Sequence, residues 1–254
     1  FLLPHFASRF TVYLAIQVLL LSMFALGFNL LFGHTGLLSF GHAAFYATGA
    51  YATGLILKHG IPSLLPGVVG GTAIAAALAL AIGYLCVRHT QIYFSMLTLA
   101  FGMMIYSLAW KWSSVTGGDD GLVGIPRPPL EVPGLVRLEL PAMEQYYYVV
   151  LIATLVTSYL LYRLVRSPFG LVLHGIRENE GRVHFAGIGV KRYRLIAFAI
   201  SGTVAGLAGS LLAPLENTVA PDVAHWTKSA EPVLVTLIGG VHTFAGPILG
   251  SVIY

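Results

Sequence analysis

Six stretches of this chain, 10–57, 64–87, 91–110, 145–162, 195–215 and 232–254, contain no Asp, Glu, Lys or Arg. Runs of that length without charge restrict the fold more than any other feature. A helix that crosses a bilayer needs about 20 mostly apolar residues. Inside hydrocarbon every backbone polar group must be paired internally, which leaves helices and closed barrels. Seven segments have the length and composition of a crossing helix: 10–32, 36–57, 64–87, 91–110, 145–165, 193–214 and 231–254. Only 9% of residues are charged, against about 25% in a soluble domain, too few to cover a water-facing surface. The expected fold is all-α, a polytopic transmembrane bundle of about seven hydrophobic segments in one domain over 1–254. The chain opens on Phe1 and closes on Tyr254 inside an apolar run, so a piece of a longer product is expected.

Basic and aromatic residues mark the edges of the spans. Arg9, Lys58, Arg88, Lys111 and Arg163 sit at segment ends, where long cationic side chains reach the headgroups. Trp110 and Trp112 close the fourth segment and Tyr146, Tyr147 and Tyr148 open the fifth, as an interfacial aromatic belt requires. Loop 163–194 holds seven basic residues against Glu178 and Glu180, whereas 111–144 holds Lys111, Arg127 and Arg137 against five acids. Short loops rich in Lys and Arg stay in the cytoplasm. Loop 166–192 is therefore expected inside and 111–144 in the periplasm. If all seven segments cross, the N-terminus lies outside; if the second is broken or re-entrant, it lies inside.

Two segments carry helix breakers. Gly33–Gly54 holds Gly33, Gly36, Gly41, Gly49 and Gly54, and Gly239–Gly250 holds Pro247 as well. Some of the segments are accordingly expected to be broken or re-entrant. Paired interruptions toward the two ends of a chain point to a transport path, and close packing through small residues is the competing explanation. Ser201–Ser210 fits the second reading. For the path the candidates are Ser39, Gly41, His42, Phe45, Gly239, Gly240 and Thr243.

The chemistry that is missing narrows the function. Proton relays and voltage sensors need ionisable groups inside the spans. A phosphate loop of the GxxxxGK[ST] kind and an HExxH zinc motif are both missing. His34, His42 and His242 each stand alone in their stretch, which favours packing or a local hydrogen bond. Ser39 and His42, three apart, would be the nucleophile and base of a lipid-directed enzyme, but no third orienting group is evident. Thr116–Gly121 reads as a turn, since a calcium loop needs alternating oxygen ligands and a closing Glu. Cys86, the single cysteine, reads as core packing, and no metal site is expected.

The connector can form a short amphipathic helix from Leu173 to Gly187, with Leu173, Ile176, Val183 and Ala186 near one face. Its charge serves either as a topology signal or as a handle for a cytoplasmic partner. Four stretches, Leu26–Tyr51, Thr116–Pro128, Gly175–Phe198 and His225–Gly250, resemble in order the second permease subunit of bacterial ABC importers for branched-chain amino acids. The resemblance covers nearly the whole chain. It implies a multi-pass permease of the inner membrane, not an enzyme. It also implies a sister permease, two cytoplasmic ATPase subunits and a periplasmic substrate-binding protein as partners. ATP and Mg would bind those ATPases, and this chain would hold no cofactor. Arg177–Glu180 matches the family's ATPase-docking loop, and Arg177, Glu178, Asn179, Glu180, Gly181 and Arg182 are the coupling candidates. The general importer loop begins Glu-Ala-Ala, where this chain has Glu180 followed by Gly181 and Arg182, which puts the helix length in doubt. Hydrophobic amino acids are the expected cargo. The family also includes importers of urea, short amides and aromatic acids, and an ATP-independent facilitator is the remaining alternative.

Overall fold

A computed structural model describes residues 8–59, 63–89, 91–132, 136–138 and 143–254. Phe1 and parts of the 111–144 loop lie outside the described residues. Among the described residues, five helices are long and apolar enough to cross a membrane: α1 (Arg9–Thr35), α3 (Leu64–Cys86), α4 (Gln91–Lys111), α6 (Met143–Val165) and α8 (Val190–Glu216). Between them come α2 (His42–His59), the one-turn α5 (Ser113–Thr116) and the connector α7 (Pro168–Phe185). The chain ends in α9 (Trp226–Gly239) and α10 (Gly246–Ile253). Strand β1 (Leu122–Val123) pairs antiparallel with β4 (Thr218–Val219), and β2 (Leu130–Val132) with β3 (Val136–Leu138).

Small residues decide which helices sit inside. A Cβ at Gly209 would run into the Tyr46 carbonyl, one at Gly206 into Ala75, and one at Gly202 into Ala79. Helices α2, α3 and α8 therefore approach closely enough for side chains on one to meet backbone on the next, the contact mode of helices in lipid. Helices α1 and α8 bury 67% of their most apolar stretch, α4 and α6 only 22%, so the first pair forms the centre and the second lies at the periphery. Cys86 is fully buried.

Contacts at the helix ends sort the chain into two faces. On one, Tyr13 and Gln17 near the start of α1 bond Glu216 at the end of α8, Lys58 Nζ donates to the Val123 carbonyl at 3.0 Å, and the β1–β4 pair closes the surface. On the other lie Thr35, Val87–His89 and α7. Arg88 and Arg166 stack over Tyr84 and Tyr162 near that face, at 4.6 and 4.4 Å. Helices α1, α2, α3, α4, α6 and α8 thus alternate in direction, and Arg9 shares a face with the β1–β4 pair.

The second and last segments differ from continuous spans. Helix α1 stops at Gly36 in a left-handed conformation (φ 76°), with Leu37 N donating to Leu31 O at 3.1 Å and Gly36 N to Phe32 O at 3.2 Å. This is a Schellman stop, and it needs glycine. Residues 36–41 are not helical, and α2 begins only at His42. The segment is broken at its start and still runs on to the strand face. The last segment folds into two short helices. At about 1.5 Å per residue, α9 spans about 21 Å and falls short of the roughly 30 Å hydrocarbon core. Gly240 turns the chain (φ 103°), and a Cβ at Gly250 would strike the Val235 carbonyl, so α10 runs back along α9. The pair is a re-entrant hairpin.

Candidate functional site

The connector forms an angled pair of helices. Asn179 leaves helical geometry (φ −157°, ψ 97°), and its Oδ1 accepts from Arg182 N at 3.0 Å. A side-chain amide in that position caps the helix that follows it. The bend folds Val183 back to Gly175, where a Cβ would lie 3.1 Å from Val183 Cγ2. The helix expected over 173–187 is thus longer at its start, ends at Phe185 and breaks at Asn179, ahead of Gly181. Leu173 and Ile176 are buried, but Ala186 is exposed, so the apolar face stops short of it. Glu178, Asn179, Glu180, Gly181 and Arg182 are exposed around the bend. Phe185, not singled out from sequence, is 92% exposed.

Three ties fasten α7 to the bundle. The Glu180 carboxylate receives both Arg194 amino groups of α8 at 2.9 Å, a bidentate pair in which Arg194 is buried and Glu180 half exposed. Arg177 donates to the Gly33 carbonyl at the end of α1 and lies 3.5 Å from His242 Nε2 in the α9–α10 turn. A guanidinium suits the unpaired carbonyls at a helix C-terminus. His34 Nδ1 lies 3.3 Å from His174 Nε2 of α7. His34 and His242 stand alone in sequence but not in space: with His174 and Arg177 they join α1, α7 and the hairpin tip.

The remaining sequence-predicted residues fall into two places. Ser39, His42 and Phe45 are buried in the centre of the bundle. His42 bonds Ser39 Oγ at 2.8 Å through Nδ1 and Ser201 Oγ at 2.7 Å through Nε2, and Ser201 donates to the Gly27 carbonyl at 2.6 Å. Ser39 precedes α2 and shares no helical face with His42. Both imidazole nitrogens are engaged and no surface reaches them, so the nucleophile–base reading gives way to a buried tether. The break at 36–41 is satisfied by its neighbours: Ser95 Oγ donates to the Leu38 carbonyl at 2.6 Å, Thr98 Oγ1 accepts from Phe40 N at 3.3 Å, and Ser229 Oγ accepts from Ala43 N at 2.8 Å. Freed backbone at membrane depth survives only with such partners. Gly41 packs on the Thr98 carbonyl, where a side chain would not fit. Gly239, Gly240 and Thr243 lie together at the hairpin tip, with Thr243 Oγ1 donating to the Gly240 carbonyl at 3.1 Å. The seven path candidates are therefore not one surface. Thr116–Gly121 is a turn, and Asp119 Oδ1 accepts from Trp110 Nε1 at 3.0 Å.

Sequence reasoning missed a polar cleft on the strand face. Glu216, Lys228 and Glu231, to which the sequence assigned no role, line a cavity of about 560 Å³ together with Gln17. Gln17, a polar residue inside the long apolar run of α1, was the available clue.

A family model described as branched-chain amino acid transport system / permease component matches residues 10–254. The chain belongs to this family. It is 29% identical to the high-affinity branched-chain amino acid transport system permease protein LivM of Escherichia coli (strain K12), over 98% of this chain and 63% of that protein. It is 27% identical to the probable branched-chain amino acid transport permease protein LivH of Methanocaldococcus jannaschii, over 92% of this chain and 74% of that protein. The chain thus spans less than two thirds of the length of the Escherichia coli relative. No solved structure matches. The five membrane-length helices among the described residues agree with that family's description as a permease component.

Proposed function

We propose that this chain is the membrane-spanning subunit of an ATP-driven importer that moves branched-chain or other hydrophobic amino acids into the cytoplasm. Its partners are a sister permease, two cytoplasmic ATPase subunits and an external substrate-binding protein. The α7 face is cytoplasmic and the strand face external, in keeping with the basic charge of 163–194. One observation carries the reading: Arg177 of the exposed connector touches both α1 and the tip of the re-entrant hairpin. A push on α7 from an ATPase would therefore move the hairpin. The exposed bend at 178–182 and the bare ring of Phe185 form the docking surface, the latter as an apolar anchor for a partner pocket. The path follows the hairpin, with Gly239, Gly240 and Thr243 at its inner end. Ser39, Gly41, His42 and Phe45 hold the broken second segment against it.

The test is gentle solubilisation of the tagged chain from its native membrane, with mass spectrometry of what co-purifies. A second permease and an ATPase are expected. In membrane vesicles from the same cells, uptake of a branched-chain amino acid should stop on ATP depletion. Uptake that survives depletion would favour a facilitator, and import of urea or a short amide in place of amino acids would change the cargo.

A further inference from the structure

The strand-face cleft has a chemistry that the spans otherwise avoid. Three of the chain's ten acidic residues, Glu216, Asp222 and Glu231, line it against one lysine, Lys228. A second cavity of about 300 Å³ shares Gln17, Lys228, Glu231 and Tyr254 with it and is walled by Leu14, Val18, Leu21 and Phe24 of α1. The first cavity carries most of the charge, and the second is bounded by the apolar, partly exposed side of α1.

The polar groups are held in place. Glu216 Oε1 accepts from Tyr13 Oη and Gln17 Nε2, each at 2.6 Å. Lys228 Nζ pairs with Glu231 Oε2 at 2.7 Å and lies 5.8 Å from the Tyr46 ring centre. Short charge-assisted bonds of this kind fix a carboxylate for a further donor, and an ammonium has three donors to share. The side chains of Lys228 and Glu231 are only 28% and 25% exposed, so their fields are screened less than those of surface charges.

Resting on the importer reading, we propose that this cleft is a subsite for a zwitterionic amino acid entering from the external side. Its α-ammonium sits against Glu216, its α-carboxylate shares Lys228, and its aliphatic side chain lies along the apolar wall that α1 gives the second cavity. The excess of carboxylates repels an organic acid that lacks the ammonium, and Lys228 discriminates against an amine that lacks the carboxylate. The two cavities have the size of small-ligand sites, about 300–1,000 Å³. The subsite lies against α9, whose other end is the hairpin tip held by Arg177, so filling it bears on the same moving element.

The test is photolabelling of the assembled transporter in membranes with a diazirine analogue of leucine, followed by peptide mapping. Adducts are expected within 14–24 of α1. They should weaken about tenfold in both Glu216→Gln and Lys228→Met, the loss expected for one charged contact. Arg9→Gln, outside the cleft, should label like the wild type. Leucine should compete, and 4-methylpentanoate, which has no ammonium, should not. If Glu216→Gln fails to accumulate, Lys228→Met decides. A wild type that imports leucine while its adducts fall elsewhere, or persist undiminished in the variants, overturns the subsite. A wild type that imports no amino acid overturns the importer reading itself, and the subsite with it.

Discussion

Glu180 shows how one residue changes meaning between sequence and structure. Its place in the stretch that resembles the family's docking loop predicts a carboxylate offered to a partner ATPase. In the structure that carboxylate is bound bidentately by Arg194, which is buried and whose Nε has no partner. Glu180→Lys would leave a buried guanidinium facing an ammonium. Breaking a fully buried pair costs roughly 3–5 kcal/mol, and the half-exposed position of Glu180 lowers that figure. We expect Glu180→Lys to lose uptake together with thermal stability, and the swap of Glu180→Arg with Arg194→Glu to recover part of both. Thermal unfolding of the purified complex checks this. Lost uptake with unchanged stability would return Glu180 to a purely docking role. The pairing was not legible because Arg194 lies fourteen positions further on, across the turn that joins α7 to α8. Asn179 was equally hidden: Gly181 looked like the weak point, but the side-chain amide that can cap a new helix made the break.

At the scale of elements, what could be read followed from periodicity and breakers. The five long helices stand where charge-free runs stand, because nothing else satisfies the backbone in lipid. The interruptions at Gly36–Gly41 and Gly239–Gly246 were marked by glycine. Their outcomes were not, since the same breaker permits a kink, a bend or a reversal, and tertiary contact selects one. Gly250 against Val235 selects reversal for the last segment. The polar cleft escaped notice for the same reason: Gln17, Glu216 and Glu231 meet only once the hairpin folds back. The small-residue stripe of α8 was legible as packing, and it has a sharp consequence. Gly209→Leu would force a branched side chain into the Tyr46 backbone, and α2 and α8 would have to separate. Overpacking costs about 1–3 kcal/mol even where side chains can yield, and backbone cannot. We expect that variant to accumulate poorly in the membrane, as measured by immunoblot of the membrane fraction. The same change at Gly187, with nothing within 4 Å, should accumulate much better, its φ of 79° being the only obstacle.

For the whole molecule, the two faces make a topological prediction. With Cys86 buried and silent, single cysteines placed at Ser114 on the strand face should react with a membrane-impermeant maleimide added outside intact spheroplasts. A cysteine in place of Phe185 should react only after the membrane is opened. The reverse pattern would invert the chain and remove the ATPase from α7. In the proposed importer the molecule has one moving part, a hairpin with a cleft at one end and Arg177 at the other. The most direct measurement of that claim is the number of leucine molecules imported per ATP hydrolysed by the purified complex in liposomes, wild type against Arg177→Met. If Arg177 links connector to hairpin, the ratio should fall about tenfold, within the usual range of coupling energies. An unchanged ratio would contradict the account, because the ATPases would then be driving transport without the contact on which it depends.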